Sequence, residues 1–487
     1  MDGEGPGDAT TGAAYPPWVT YAAIVALLAV GALVAVWEYY AVLYFLMLVA
    51  WLVAAGGLGA TPLLRRLSRA DGLRLSLAVF GVALAWRFLM LLQEDVLTND
   101  LLSFVGRGQS YLHGAVPYTD DFQVRKPPAY LLLAAGMGMA AGPTLVATRA
   151  VMSLVDALVA LTVFWIGEER VSRPFGLAAG LLYAINPISA VSVGISGHYD
   201  PWVVMFALVG VWMMLRGNRT TSALLLGVGT ALKLYPVVLL PWLLLSERRW
   251  SRRVLLAAVF TVPMVAVWVP MLLQNGDALS FYLSYQSSWE PKGGIAFGIV
   301  TLAGMDPVSD SAGIVTRVVE AVFYGLLVAM FADWLRRRDT SPDGHILDWF
   351  RVVTVGFAVL YGASIVGGIV EYGADAGVGV EGTATLAGLA YASLAAVGLW
   401  WTWTRWLPGD HGLGPDDRLI VLSALSVNLL LLSSAQSNPW YLLWLLPLVL
   451  LVRSWRIRDA WNALLVWRAE GSGAQLWPGS EMGPVGK

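Results

Sequence analysis

The chain has 487 residues, of which 57% are hydrophobic and 13% charged, about half the charged fraction of roughly 25% found in soluble domains. Its long uncharged runs make it a polytopic membrane protein, and because a bilayer core offers backbone groups no water, the spans are expected to be helices. A formal net charge of −2 gives no bulk-charge case for nucleic acid, and the lack of cysteine excludes disulfides, thiolate catalysis and cysteine-ligated metals.

Residues 1–17 are acidic and rich in Gly and Pro, lack the basic start of a signal peptide, and are expected to form a disordered tail. A transmembrane domain then runs over residues 18–453. Trp18–Trp37 and Ala41–Ala60 are apolar over about the 20 residues that a span requires. Arg65, Arg66, Arg69 and Arg74 follow, and a basic loop prefers the cytoplasm. Ser76–Leu92 then runs outward and carries Arg87. It leads into a first outer loop, residues 93–143, in which Ala129–Gly142 is apolar but too short to span and reads as an interfacial helix. Thr144–Ile166 returns inward with Arg149 and Asp156, Phe175–Ile195 goes out to a Gly197-His198-Tyr199-Asp200-Pro201 turn, and Trp202–Leu215 comes back to Arg216 and Arg219.

Residues 221–246 have basic clusters on both sides, so both ends are expected in the cytoplasm. Lys233-Leu234-Tyr235-Pro236 lies at the midpoint, and a proline breaks a helix. Two arms of roughly 12 residues, each reaching roughly 18 Å into a core about 30 Å thick, make a re-entrant hairpin with Lys233 near its tip. Val254–Leu273 leads out to a second outer loop, residues 274–311. Ile314–Leu335, Trp349–Val370, Thr383–Trp403, Leu419–Ser434 and Trp440–Val452 complete the domain, and residues 454–487 form a basic cytoplasmic tail. The count is about 12 transmembrane helices plus the hairpin. No inverted repeat of the transporter kind is visible.

This topology gathers Asp100, the Tyr111–Lys126 segment, His198, Asp200, Trp289, Glu290, Lys292 and Asn438 on the outer face, with Lys233 approaching from within the membrane. Lysine occurs only at 126, 233, 292 and the terminal 487, whereas the inner loops use arginine. Lys126 and Lys292 are either phosphate ligands or solvated loop charges. Lys233 is harder to explain as packing, because a charge at that depth costs about 2.5–3.5 kcal/mol. Asp100 is placed either to take a proton as a general base or to cap the helix beginning there. Asp120 and Asp121 read as a solvated turn, and Asp100, His198 and Asp200 form a weak metal-ligand pattern. Arg87, Asp156 and the Arg317/Glu320 pair read as buried structural charges.

NDLLSFVGRGQSYLHGAVPYTDDFQVRKPPAYLLL resembles the first outer loop of GT-C glycosyltransferases that use polyprenyl-phosphate sugars, at Asp100, Phe104, Gly114, Pro117, Tyr118, Pro127 and Pro128. Gly197-His198-Tyr199-Asp200 resembles that group's outer turn, Lys233-Leu234-Tyr235-Pro236 with Pro241 its hairpin, and Ser437-Asn438-Pro439-Trp440-Tyr441 its late "P-x-Y" turn. The mannosyltransferase branch is the most similar. The chain departs from its GPI-anchor member in having Leu101 and Leu102 after Asp100 where that enzyme has D-x-D, which puts a two-carboxylate metal site there in doubt.

The resemblance implies an all-α, GT-C-type bundle with outer-face juxtamembrane helices. It also implies inverting transfer of a hexose, by the nearest resemblance mannose, to a glycan or lipid-linked acceptor. Asp100 would be the base; Lys233, Lys126, Arg125 and Lys292 would hold the donor phosphate; Tyr111, Tyr118, His198, Asp200, Trp289 and Glu290 would contact acceptor or sugar. No cofactor is required, and a divalent metal is admissible but not indicated. The composition is that of a GC-rich prokaryote, which would place the chain in the plasma membrane, N-terminus inside and site outside. A flippase for a lipid-linked sugar and a non-catalytic subunit of a glycan-assembly complex are the alternatives.

Overall fold

The computed structural model describes residues 17–34, 46–47, 50–51, 53–55, 58, 61–93, 99–287, 300, 310–337, 415–433 and 442–451. Among these residues the regular elements are all helical. They are α1 (Pro17–Val34), α2 (Pro62–Leu67), α3 (Gly72–Met90), α4 (Asn99–Leu112), α5 (Pro128–Ala141), α6 (Leu145–Arg170) and α7 (Arg173–Ala184). After them come α8 (Asp200–Leu215), α9 (Arg219–Leu232), α10 (Leu240–Leu245), α11 (Trp250–Gln274), α12 (Ala278–Ser287), α13 (Asp310–Arg337), α14 (Pro415–Ser433) and α15 (Leu442–Leu450).

Five described helices are long and apolar enough to cross a membrane: Gly72–Met90, Leu145–Arg170, Arg173–Ile195, Trp250–Gln274 and Ser311–Arg336. Shorter apolar helices accompany them, among them Pro128–Ala141 and Asp200–Leu215. The expected spans Trp349–Val370 and Thr383–Trp403 lie outside the described residues. Large apolar side chains on α11 and α13, including Val262, Val265, Val318 and Val322, face outward. An exposed apolar belt of that length suits lipid rather than water.

Local sequence explains the helix boundaries. Asp71, Thr144, Ser172 and Asn218 stand before α3, α6, α7 and α9, and each side chain accepts a hydrogen bond from a first-turn amide. Pro128 opens α5, where a missing N–H costs nothing. The packing of α3, α6, α7, α8 and α9 forms the core of the bundle.

The expected span Phe175–Ile195 falls within the membrane-length stretch Arg173–Ile195, which is interrupted at Ile185-Asn186. Pro187 cannot donate to the Tyr183 carbonyl four residues back, and Asn186 Oδ1 instead accepts from Ser189 N at 3.1 Å. A π-helical turn, Ala190–Ile195, follows. The Tyr183 and Ala184 carbonyls accept from Arg87, which also donates to Ala83 O and to Ser189 Oγ. Arg87 Nε lies 2.6 Å from Asp156 Oδ2, and both side chains are 0% exposed. Tyr183 Oη donates to Asp156 Oδ1 at 2.8 Å, and Ser189 Oγ donates to Oδ2. The pair read as structural from sequence is therefore the hub of a hydrogen-bonded network joining α3, α6 and α7.

The basic loops collect at one end of the bundle. Arg173 pairs with Glu168 at 2.6 Å, Arg216 with Glu169 at 2.5 Å, and Arg219 with Glu247 at 3.0 Å. The last pair joins the two ends of the segment that contains Lys233. That segment is a helical hairpin: α9 climbs to Lys233, a 3-10 turn over Tyr235–Leu239 reverses it, and α10 returns. Lys233 is extended (φ −160°, ψ 134°) and ends α9. At the opposite end of the bundle lie α4, α5 and the loop between them.

Candidate active site

Four backbone features build the site. The first is α4, whose Leu101, Phe104 and Gly108 face inward, the last against the α5 backbone at Ala134. Asp100 lies inside the first turn of α4, past the capping position, and its side chain is 50% exposed. The second is the turn at Gly197, where φ is +65° and a Cβ would stand 2.7 Å from Leu101 Cδ1 and 3.0 Å from Arg149 Cγ. Only glycine satisfies both demands. The turn brings the buried His198 ring to Asp100, with Nδ1 3.6 Å from Oδ2.

The third feature is the junction of α8 with the hairpin. Asp200, at the start of α8, is 0% exposed, and its Oδ1 accepts from Lys233 Nζ at 2.8 Å and from Trp444 Nε1 at 2.6 Å. Oδ2 is buried with no hydrogen-bond partner among the described residues. The Lys233 ammonium lies 4.7 Å from the Trp444 ring centre and 5.4 Å from that of Tyr199, and its side chain keeps 15% exposure. The fourth is the loop from Gly114 to Pro127. Tyr118, in the left-handed region at φ 62°, donates its hydroxyl to Lys126 O at 2.8 Å. Asn275 Nδ2, just past α11, donates to Pro117 O at 3.3 Å and Tyr118 O at 2.7 Å.

This clamp sets Lys126 among Lys233, Asp100, Asp200 and Arg107. Burial first, and then the Lys233 charge, lower its pKa against the opposing pull of the two carboxylates. Arg107 stands against the Tyr130 hydroxyl. Burial pushes the His198 pKa down to about 4, despite the carboxylates of Asp200 and Asp100, and the Lys233 and Lys126 charges act in the same direction as burial. At neutral pH His198 is therefore an uncharged ring beside Asp100. Phe104, Tyr130 and Tyr199 pack together beneath it, with ring centres 4.9–6.2 Å apart.

Of the expected site residues, the structure brings together Asp100, Lys126, His198, Asp200 and Lys233. Others stand elsewhere. Tyr118 is buried in the loop's own core against Trp268 and Phe281, with Tyr111 packed at the edge of that cluster. Its hydroxyl is committed to the Lys126 carbonyl, so it holds the loop and does not face the opening. Arg125 is exposed and donates to Gln123 Oε1 at 3.2 Å. Trp289, Glu290, Lys292 and Asn438 lie outside the described residues. The Asp100–His198–Asp200 metal pattern meets an Asp200 whose Oδ1 already serves Lys233 and Trp444, and among the described residues no group of three His, Asp or Glu is set to hold a metal ion.

Arg107, Tyr130, Tyr199 and Trp444 were not among the expected site residues. Arg107 follows Asp100 by two helical turns, so an i, i+7 reading of α4 would have found it. Tyr199 lies inside the Gly197–Asp200 motif. Trp444 had no such signal.

Among known proteins, residues 126–361 match the model of glycosyltransferase family 87, a GT-C-type membrane family. No curated protein and no solved structure matches the chain. The matched segment contains Lys126, His198, Asp200 and Lys233, while Asp100, Arg107 and Trp444 lie outside it. Its apolar helices and the match over residues 126–361, a little under half of the chain, make it similar to glycosyltransferase family 87, a GT-C-type membrane family.

Proposed function

We propose that the protein transfers a hexose, by the nearest resemblance mannose, from a polyprenyl-phosphate donor to a glycan or lipid-linked acceptor, with inversion at the anomeric carbon. The observation that carries this reading is a half-exposed Asp100 carboxylate near Lys126, which in turn feels the charges of Lys233 and Arg107. Asp100 takes the proton of the acceptor hydroxyl as that oxygen bonds the anomeric carbon. The bond from the anomeric carbon to the phosphate oxygen breaks, and the polyprenyl phosphate keeps the electron pair. Fixed ammonium and guanidinium groups stabilise the charge that develops there. His198, its pKa pushed down to about 4 by burial, stands beside Asp100 as an uncharged ring at neutral pH.

The apolar flanks of α11 and α13 suit a prenyl chain, and the basic loops gathered at the far end of the bundle support a cytoplasmic placement for that end. The site then opens at the outer face of the plasma membrane, with the N-terminus inside. The test is transfer of radiolabelled mannose from polyprenyl-phosphomannose by membranes holding equal amounts of wild type or Asp100→Asn. Transfer by wild type alone is expected. Equal transfer by both returns Asp100 to a structural role, and no transfer from any polyprenyl-phosphate hexose overturns the reading.

A further inference from the structure

We propose that Trp444, on α15 and outside the family-matched segment, is a positioning residue that sets the Lys233 ammonium for the donor phosphate, an inference that rests on the function proposed above. Three contacts carry it. The indole Nε1–H donates to Asp200 Oδ1 at 2.6 Å, the same oxygen that accepts from Lys233. The indole ring centre lies 4.7 Å from the Lys233 ammonium, and the Tyr199 ring centre 5.4 Å from it. The ring itself is fixed by stacking on Tyr235, with centres 4.3 Å apart and planes 7° from parallel.

The chemistry follows from what Lys233 has to do. A lysine that meets a phosphate must share itself between that phosphate and Asp200, which is fully buried. A buried carboxylate left with no donor is strongly unfavourable, so an Asp200 with Lys233 as its one partner would hold the ammonium back. The Trp444 N–H gives Oδ1 a second donor, which lets Lys233 lean towards an incoming anion without stranding Asp200. The faces of the two rings each attract the ammonium. Trp444 therefore acts on the donor and not on the acceptor, and it acts through Lys233. Residues 442–450 thereby add to a site whose other described parts come from α4, the Gly114–Pro127 loop, the Gly197 turn, α8 and the hairpin.

The test is donor kinetics with a polyprenyl-phosphate hexose, together with thermal stabilisation of the detergent-solubilised protein by farnesyl phosphate. Trp444→Phe keeps a ring over Lys233 and removes the N–H, whereas Trp444→Leu removes both. The expected result is a donor KM raised roughly fivefold in Trp444→Phe and further in Trp444→Leu, with acceptor KM and kcat little changed. Stabilisation by farnesyl phosphate should weaken in the same order. If Trp444→Leu does not fold, Trp444→Phe decides alone. A lowered kcat with unchanged donor KM, or wild-type behaviour of Trp444→Phe in both assays, overturns the positioning role and leaves the transferase reading standing. Wild type that neither turns over the donor nor is stabilised by farnesyl phosphate overturns both.

Discussion

Breaking the Lys233–Asp200 pair one partner at a time separates its structural cost from its use. Asp200 is 0% exposed and Lys233 is 15% exposed, with Nζ and Oδ1 2.8 Å apart. Lys233→Met preserves most of the side-chain volume but leaves the buried carboxylate with the Trp444 N–H as its donor. Removing one member of a buried pair typically costs about 3–5 kcal/mol, and the remaining indole bond puts this case near the lower end, about 3 kcal/mol. Lys233→Met/Asp200→Asn removes the stranded charge and should recover stability to within about 2 kcal/mol of wild type. Neither variant should transfer sugar, because both lack the ammonium. Unfolding in detergent followed by tryptophan fluorescence, alongside the mannose-transfer assay, measures the two effects on the same samples. A double variant as unstable as the sum of its single changes would refute the argument, since the pair would then not be coupled. Full transfer by Lys233→Met would refute the phosphate role.

Gly197→Ala should cost about 1–2 kcal/mol for the left-handed backbone and about 1–3 kcal/mol for the contact with Leu101 and Arg149. By pushing α4 away from His198 it should lower transfer by roughly a hundredfold, and wild-type melting and activity would show that the turn does not position Asp100. His198 has a folded pKa of about 4 against an unfolded value near 6.5. The unfolded chain takes up the proton first, so stability is full above about pH 6.5 and declines as pH falls towards about 4. Melting between pH 7.5 and pH 5 should therefore drop more in wild type than in His198→Gln, and an equal drop in both would refute the burial of a neutral ring.

Much of this site was legible because membrane burial makes charge conspicuous. A lysine in an apolar stretch broken by proline pointed to Lys233 and to a reversal of the chain, and the Arg219–Glu247 pair now joins the ends of that reversal. The alternation of basic loops anticipated that Arg173, Arg216 and Arg219 would collect at one end. Tyr118 sits under the loop rather than at the site for a plain reason: a loop sequence does not say which side chains turn inward. The φ of 62° at Tyr118 and the Asn275 clamp decide that, and they send the ring under the loop while Lys126 comes within the electrostatic influence of Asp100 and Asp200.

By itself the sequence determined a helical membrane protein, the polar loop that begins at Asp100, and the scarce lysines that accompany it. These follow from local chemistry, since transfer costs and helix breaks act residue by residue. Only the tertiary structure decided that Asp200 is a buried counter-ion for Lys233, that His198 stands neutral beside Asp100, and that Trp444 closes the group from 244 positions along the chain. A tryptophan in an apolar run is indistinguishable from an interfacial anchor until its N–H has a partner, and that partner is supplied by packing α15 against α8.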